Sequence, residues 1–188
     1  MILEDGSVRK RRKSYDLPGH AHFLTFSCHR RLPLLDHDET RTMVIESLDA
    51  ARRRRSFSLL AFVIMPEHVH ALVFPRDPFP TVASILQSIK QPVAVRGIGF
   101  FNRFHPSMIE RLDVSTDSLK PSHRFWQRGG GYDSNITSHE SLAKAIEYVH
   151  DNPVRRRLVK SAEDWPWSSA RHYAGRKDSL LEMDPIPR

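Results

Sequence analysis

Between Phe57 and Pro75 the chain reads FSLLAFVIMPEHVHALVFP, two near-continuous apolar runs parted by Pro66 and Glu67. Runs of this length, rich in β-favouring residues and separated by turn residues, predict a hairpin of central strands, Phe57–Met65 and His68–Phe74, covered by helices. Upstream, His20 to Arg31 (HAHFLTFSCHRR) predicts a first strand. In it Phe23, Thr25 and Ser27 alternate with Leu24, Phe26 and Cys28, as a side-chain period of two requires. Asp36 to Arg55 predicts a helix capped by Asp38 or Thr40, with Met43, Ile45, Leu48 and Ala51 as an approximate apolar stripe.

Pro78 to Phe101 predicts a second helix, capped by Thr81, with Val82, Ile85, Leu86 and Ile89 at helical spacing. Pro92 is expected to kink or split it, because proline lacks the N–H and crowds the preceding turn. Residues 102–123 mix polar residues, proline and serine and read as a loop. Arg124 to Ile136 (RFWQRGGGYDSNI) reads as the last core strand, interrupted at Gly129–Gly131. Three glycines point either to close approach of the backbone to a ligand or to a bulge or wide turn. Thr137 to Asn152 is the clearest helix: Thr137-x-x-Glu140 matches a capping box, Leu142, Ala145, Ile146 and Val149 form the stripe, and Asn152-Pro153 ends it. In the tail, Trp165 and Trp167 flank Pro166 and are expected to pack against the body rather than stack on bases.

The order strand, helix, strand, strand, helix, strand, helix predicts an α+β fold. Its first six elements are the ferredoxin-like βαββαβ pattern with an antiparallel sheet, followed by a C-terminal helix and tail. The expected organisation is a basic arm over 1–18, one domain over 19–175, and a tail over 176–188.

Composition narrows the function. With 188 residues, 39% of them hydrophobic, the chain can bury a core. No run of 18 apolar residues predicts a membrane span, and the charged N-terminus lacks the apolar stretch of a secretory signal. The single cysteine, Cys28, allows no internal disulfide and agrees with a reducing cytoplasm. The net charge of +7 is clustered at Arg9–Lys13, Arg52–Arg55 and Arg155–Arg157. Such clusters point to a polyanion, nucleic acid first among them, and mark Arg11, Arg12, Arg54, Arg155, Arg156 and Arg157 as DNA-contact candidates.

Chemistry gathers at His68-Val69-His70. If Val69 faces the core, both imidazoles stand on the opposite face and can share one divalent ion, with a third oxygen ligand completing a facial set. His20 and His22 have the same spacing, so spacing alone does not decide. On the last helix Tyr148 and Asn152 lie about 40° apart, on one flank of the apolar stripe. A tyrosine beside a cation becomes a usable nucleophile toward a phosphodiester.

Four blocks in order, MPEHVHALVF, RFWQRGGGYD, IEYVHDNPVRRRLV and DWPWSSARHY, resemble the REP-associated tyrosine transposases of the HUH single-strand nuclease superfamily. The resemblance covers roughly residues 15 to 175. It implies a ferredoxin-like core, a Mg²⁺ or Mn²⁺ ion, and cleavage of single-stranded or hairpin DNA through a 5′-phosphotyrosine. Carried over residue by residue, it gives His68 and His70 as metal ligands and Tyr148 as nucleophile. In related insertion-sequence transposases a polar ligand follows the nucleophile by one turn, which here is Asn152. His150 and Tyr132 stand nearby as alternative ligand and nucleophile. The departure from the family is Pro92 in the second helix. The expected setting is the cytoplasm, at the nucleoid, with monomer or homodimer left open. Two other readings share the residues: a domesticated hairpin-DNA binder without cleavage, and a hydrolytic phosphodiesterase using the His pair.

Overall fold

A computed structural model describes residues 16–76, 80–116 and 122–187. The expected basic arm, with Arg11 and Arg12, lies almost wholly outside the described residues. Among the described residues four strands form one antiparallel sheet in the order β2-β3-β1-β4. They are β1 (Ala21–Ser27), β2 (Phe57–Met65), β3 (His68–Pro75) and β4 (Tyr132–Ile136). The helices are α1 (Asp38–Arg54), α2 (Val82–Phe104), α3 (Pro106–Leu112), α4 (His139–Arg155) and α5 (Ala170–Tyr173). The expected βαββαβ order holds, with α4 after the last strand.

The sheet has a core on each face, and strand periodicity decides which residue serves which. Leu24, Phe26, Cys28, Val69, Ala71 and Val73 pack with Val44 and Leu48 of α1 and Ile85, Ile89 and Val93 of α2. Leu60, Ala61, Val63 and Leu72 pack on the opposite face with Leu142 and Val149 of α4. A register shift between Leu59 and Ala61 lets Leu60 and Ala61 serve the same face in succession. Covered on both faces, every residue of β2 is buried.

The outer edge of β2 is covered too. Ile64 N donates to Trp167 O (2.8 Å), Ser169 N to Phe62 O (3.0 Å) and Asp184 N to Leu59 O (3.0 Å). The Asp184 carboxylate accepts from Leu59 N (2.8 Å), and Tyr173 Oη donates to Leu60 O (2.8 Å). Leu181 and Met183, in the expected tail, are buried in the α1/α2 core. Trp165 and Trp167 are packed as expected. Trp165 Nε1 donates to Ile64 O (3.0 Å), and the Arg41 guanidinium lies over both rings, 5.2 and 5.7 Å from their centres.

Several boundaries differ from the sequence expectation for identifiable reasons. The first strand stops at Ser27, because Arg30 and Arg31 adopt left-handed backbone (φ 51° and 53°) in a short 3₁₀ turn. Helix α1 starts after His37, and Thr40 Oγ1 donates to His37 O instead of capping. Helix α2 runs through Pro92 unbroken for 23 residues, with Thr81 capping it as expected. Proline leaves the Ser88 carbonyl without its helical donor; Ser47 Oγ lies 3.5 Å from it and donates to Ile89 O at 2.8 Å. The expected loop at 102–123 contains the end of α2 and all of α3. Helix α4 is capped by Ser138, accepting from Ser141 N, so the Thr137 capping box does not form. It also continues past Pro153 to Arg155.

The glycine run has the internal explanation. Only Tyr132–Ile136 is strand, and Gly131 has φ +82° with its Cα so close to β1 that a Cβ there would sit 2.1 Å from Thr25 O. Here the backbone approaches another strand.

Candidate active site

Residues 69, 71 and 73 of β3 face the α1/α2 core, so His68, His70 and Leu72 face α4. In register, Val63, His70, Thr25 and Tyr132 form one row across all four strands. His68 stands in the next row, opposite Ser27 and Met65. The tight Pro66–Glu67 turn keeps both histidines at the start of β3, at the rim of the sheet. Above them passes α4, fixed by its buried Leu142 and Val149, with Tyr148 on its exposed flank.

His68 Nε2 and His70 Nε2 lie 3.0 Å apart. Each ring's other nitrogen is engaged: His68 Nδ1 with Glu67 Oε1 (3.1 Å) and His70 Nδ1 with Thr25 Oγ1 (2.7 Å). A carboxylate or hydroxyl accepting from Nδ1–H leaves the Nε2 lone pair free for a ligand role. Two lone pairs cannot face each other at 3.0 Å. Either an N–H of one ring donates to the other Nε2, or a metal ion accepts from both.

Asn152, buried, donates its Nδ2 to Tyr148 O (2.7 Å). Its side chain is within hydrogen-bonding reach of His70, so Oδ1 is the atom left for the histidines or a cation. Two imidazole nitrogens and an amide oxygen fit a divalent ion with open positions. Among the described residues no group of three or more His, Cys, Asp or Glu gathers for a metal.

Electrostatics favour neutral imidazoles. Burial lowers the pKa of His68, against the pull of the Glu67 carboxylate; burial and then the neighbouring His68 push His70 down to about 3. Burial opposes ionisation of Glu67, but the Arg156 hydrogen bond, helped by the neighbouring His68 ring, outweighs it and holds the carboxyl below its usual range. Arg156 Nη1 donates to Glu67 Oε1 at 2.9 Å.

A pocket of about 350 Å³ lies over the pair, lined by Thr25, Arg31, His68, His70, Tyr148, Asn152, Arg155 and Arg156. Among the described residues three cations and no acid line it, which suits a phosphate. The Tyr148 ring lies 5.7 Å from the His70 ring, and Arg155 stacks over the Tyr148 face at 5.2 Å.

Of the residues marked from sequence, His68, His70, Tyr148, Asn152, Arg155 and Arg156 converge on this pocket. Arg157 is exposed just past α4, with φ 57°. Arg54 is exposed at the C-terminal end of α1, in the layer across the sheet from α4. His22 is fully buried on the α1/α2 side, with Nδ1 on Asp133 Oδ1 at 2.9 Å. His150 turns from the pocket, its Nε2 2.8 Å from Ser169 Oγ. Tyr132 is exposed in the His70 row, against Phe23 rather than the pair. Thr25, Glu67 and Arg31 were missed. The strand alternation of β1 held the signal for Thr25; Glu67 and Arg31 depend on turn conformations with no local signature.

No family profile matches the chain. Over 127 residues it is 24% identical to the REP-associated tyrosine transposase of Escherichia coli (strain K12), covering 68% of this chain and 62% of that protein. Over 117 residues it is 26% identical to a protein of Haemophilus influenzae assigned to the same group, covering 60% and 58%. The chain thus spans less than two thirds of the length of either relative. A solved structure of a REP-associated tyrosine transposase bound to a REP hairpin shares the fold, with a TM-score of 0.64 and 22% identity over 95% of this chain and 92% of that one. The resemblance to the REP-associated tyrosine transposases is therefore carried by sequence and by fold.

Proposed function

We propose that the chain acts as a REP-associated tyrosine transposase, cleaving and rejoining single-stranded DNA beside a hairpin through a phosphotyrosine bond. The observation that carries the reading is the convergence of two Nε2 atoms, 3.0 Å apart, beside a tyrosine that shares one helical flank with Asn152. The relatives' description and the hairpin held by the structural neighbour agree with it.

In this reading His68, His70 and Asn152 hold a divalent ion, Mg²⁺ or Mn²⁺. When bound, it would polarise a phosphate oxygen and offset negative charge. Arg31, Arg155 and Arg156 draw the DNA backbone into the pocket and fix the phosphate by charge-assisted hydrogen bonds. Glu67 and Thr25 hold the imidazoles with Nε2 inward. The Tyr148 oxygen then attacks the phosphorus. The bond from phosphorus to the 3′ oxygen breaks, the tyrosine keeps the 5′-phosphate of the downstream strand, and the phenolic proton is balanced by the one gained at the freed 3′-OH. No water is consumed, so a second 3′-OH can reverse the step and join a different strand. Arg157, Arg54 and the basic residues Arg11 and Arg12 would serve the DNA arms outside the pocket.

The test is covalent capture. Hairpin oligonucleotides labelled at the 5′ or the 3′ end are incubated with Mn²⁺ or Mg²⁺ and run on denaturing protein gels. A protein–DNA band carrying only the 3′ label, absent in Tyr148→Phe, is the expected result. Cleavage without any adduct would establish hydrolysis instead. Binding without cleavage would establish the domesticated binder.

A further inference from the structure

A second hollow adjoins the His pocket and shares Thr25, His70 and Tyr148 with it. It runs between β4 and α4 with a volume of about 650 Å³, within the usual range for ligand sites. Phe23 forms its floor. The Phe23 ring meets Tyr132 edge-on at 6.2 Å and Tyr148 edge-on at 5.8 Å. Both tyrosines are 42% exposed, so two aromatic rings open into one concave surface. Ser134 and Ser141 supply hydroxyls along the wall, Lys144 supplies a cation at the rim, and among the described residues no acidic side chain lines it.

We infer that this hollow receives an unpaired base of the single strand, the one next to the phosphate that Tyr148 attacks, stacked on Tyr132. The inference rests on the function proposed above and names the ligand chemistry of its neighbouring groove. Four observations point the same way. The hollow is continuous with the phosphate-sized pocket, so a strand whose phosphate lies over the His pair must pass its next nucleotide here or out to solvent. Exposed aromatic faces beside a cation are the usual platform for unstacked bases. The wall carries the hydroxyl groups of Ser134 and Ser141, of a kind that can bond base edges. Finally, register puts Tyr132 in the same cross-strand row as His70, two strands away, so the distance from phosphate to stacking ring is set by the sheet rather than by a loop. The lysine belongs to an exposed pair with Glu140 (2.7 Å) that an entering phosphate can exchange for.

The test uses binding, which needs no cleavage. A twelve-nucleotide oligo(dT) carrying 5-iodouracil is bound to the full chain, irradiated, and the cross-linked residue identified by mass spectrometry. Affinities of wild type, Tyr132→Ala and Tyr132→Trp are measured in parallel by anisotropy, with circular dichroism reporting the fold of each. Expected are a cross-link at Tyr132 or Phe23, about tenfold weaker binding in Tyr132→Ala, and recovery in Tyr132→Trp, since stacking needs a ring rather than a hydroxyl. A Tyr132→Ala protein that binds within twofold of wild type would overturn the inference. So would cross-links confined to the α1/α2 layer, or a wild type that does not bind the oligonucleotide. If Tyr132-dependent binding appears while the Tyr148 adduct does not, the base site stands and the transesterase reading falls. The reverse pattern removes only the base site.

Discussion

Arg156 reaches back 89 residues to Glu67, Nη1 to Oε1 at 2.9 Å, and the same oxygen holds His68 Nδ1 at 3.1 Å. The chain from guanidinium to carboxylate to imidazole fixes which nitrogen of His68 points into the pocket. Glu67→Ala should therefore weaken Mn²⁺ binding by roughly 10- to 100-fold. Glu67→Gln should lose less, because its amide oxygen can still accept from Nδ1. Titration of each variant with Mn²⁺, followed by electron paramagnetic resonance, orders the three proteins. Equal affinities in all three would remove Glu67 from the site.

Removing a ligand outright separates chemistry from grip. His70→Ala is expected to abolish cleavage and Mn²⁺ binding while leaving hairpin affinity within about threefold, since backbone contacts supply most affinity for nucleic acid. Binding of both proteins should fall steeply with salt, and Arg155→Ala should lower the slope of log K against log salt by about 0.7. Gel-shift titrations at several salt concentrations read both. A collapse of hairpin binding in His70→Ala would make the pair structural.

Gly131 is a packing requirement. An added Cβ would sit 2.1 Å from Thr25 O, at a φ of +82° that side chains resist. Gly131→Ala should cost roughly 3 kcal/mol of stability, measured by urea unfolding. Because Thr25 carries the hydrogen bond to His70, Mn²⁺ affinity should fall along with it.

His150 gives the fold an acid limit. Burial holds its folded pKa at about 4, below the ordinary 6.5. A group depressed in this way contributes stability that is fully present above pH 6.5. That stability is lost as pH falls from there toward 4, because the unfolded chain takes up the proton first. His150 alone should account for about 2 kcal/mol lost between pH 7 and pH 5. Urea midpoints across that range should fall less in His150→Gln than in wild type. Parallel curves would show that His150 is not the group.

Much of this was legible in the chain because it rests on period. The apolar runs around Pro66 fix a hairpin, and the spacing of His68 and His70 puts both on the face opposite Val69 whatever the tertiary detail. Tyr148 and Asn152 share a flank for the same kind of reason. What period cannot carry stayed hidden. Pro92 reads as a break locally, yet the helix survives because Ser47, far away in sequence, sits beside the carbonyls around the gap. Thr137 and Ser138 both satisfy the chemistry of a cap, and local rules do not choose between them. Glu67 reads as a turn residue until folding brings Arg156 to it. The glycines of 129–131 read equally well as a ligand contact or a structural need, and only the neighbouring strand decides.

The covering of β2 by distant residues has a consequence for how the chain is made. Leu59 waits for Asp184 and Phe62 for Ser169, separations of 125 and 107 residues. Until those late residues emerge from the ribosome, one apolar strand edge has no partner, and an unpaired edge is where nascent chains stick to one another. Contacts this far apart also slow folding. Synthesis of this protein thus carries an interval of vulnerability that closes only when its C-terminal segment docks, and chaperone demand should peak while that segment is still being translated.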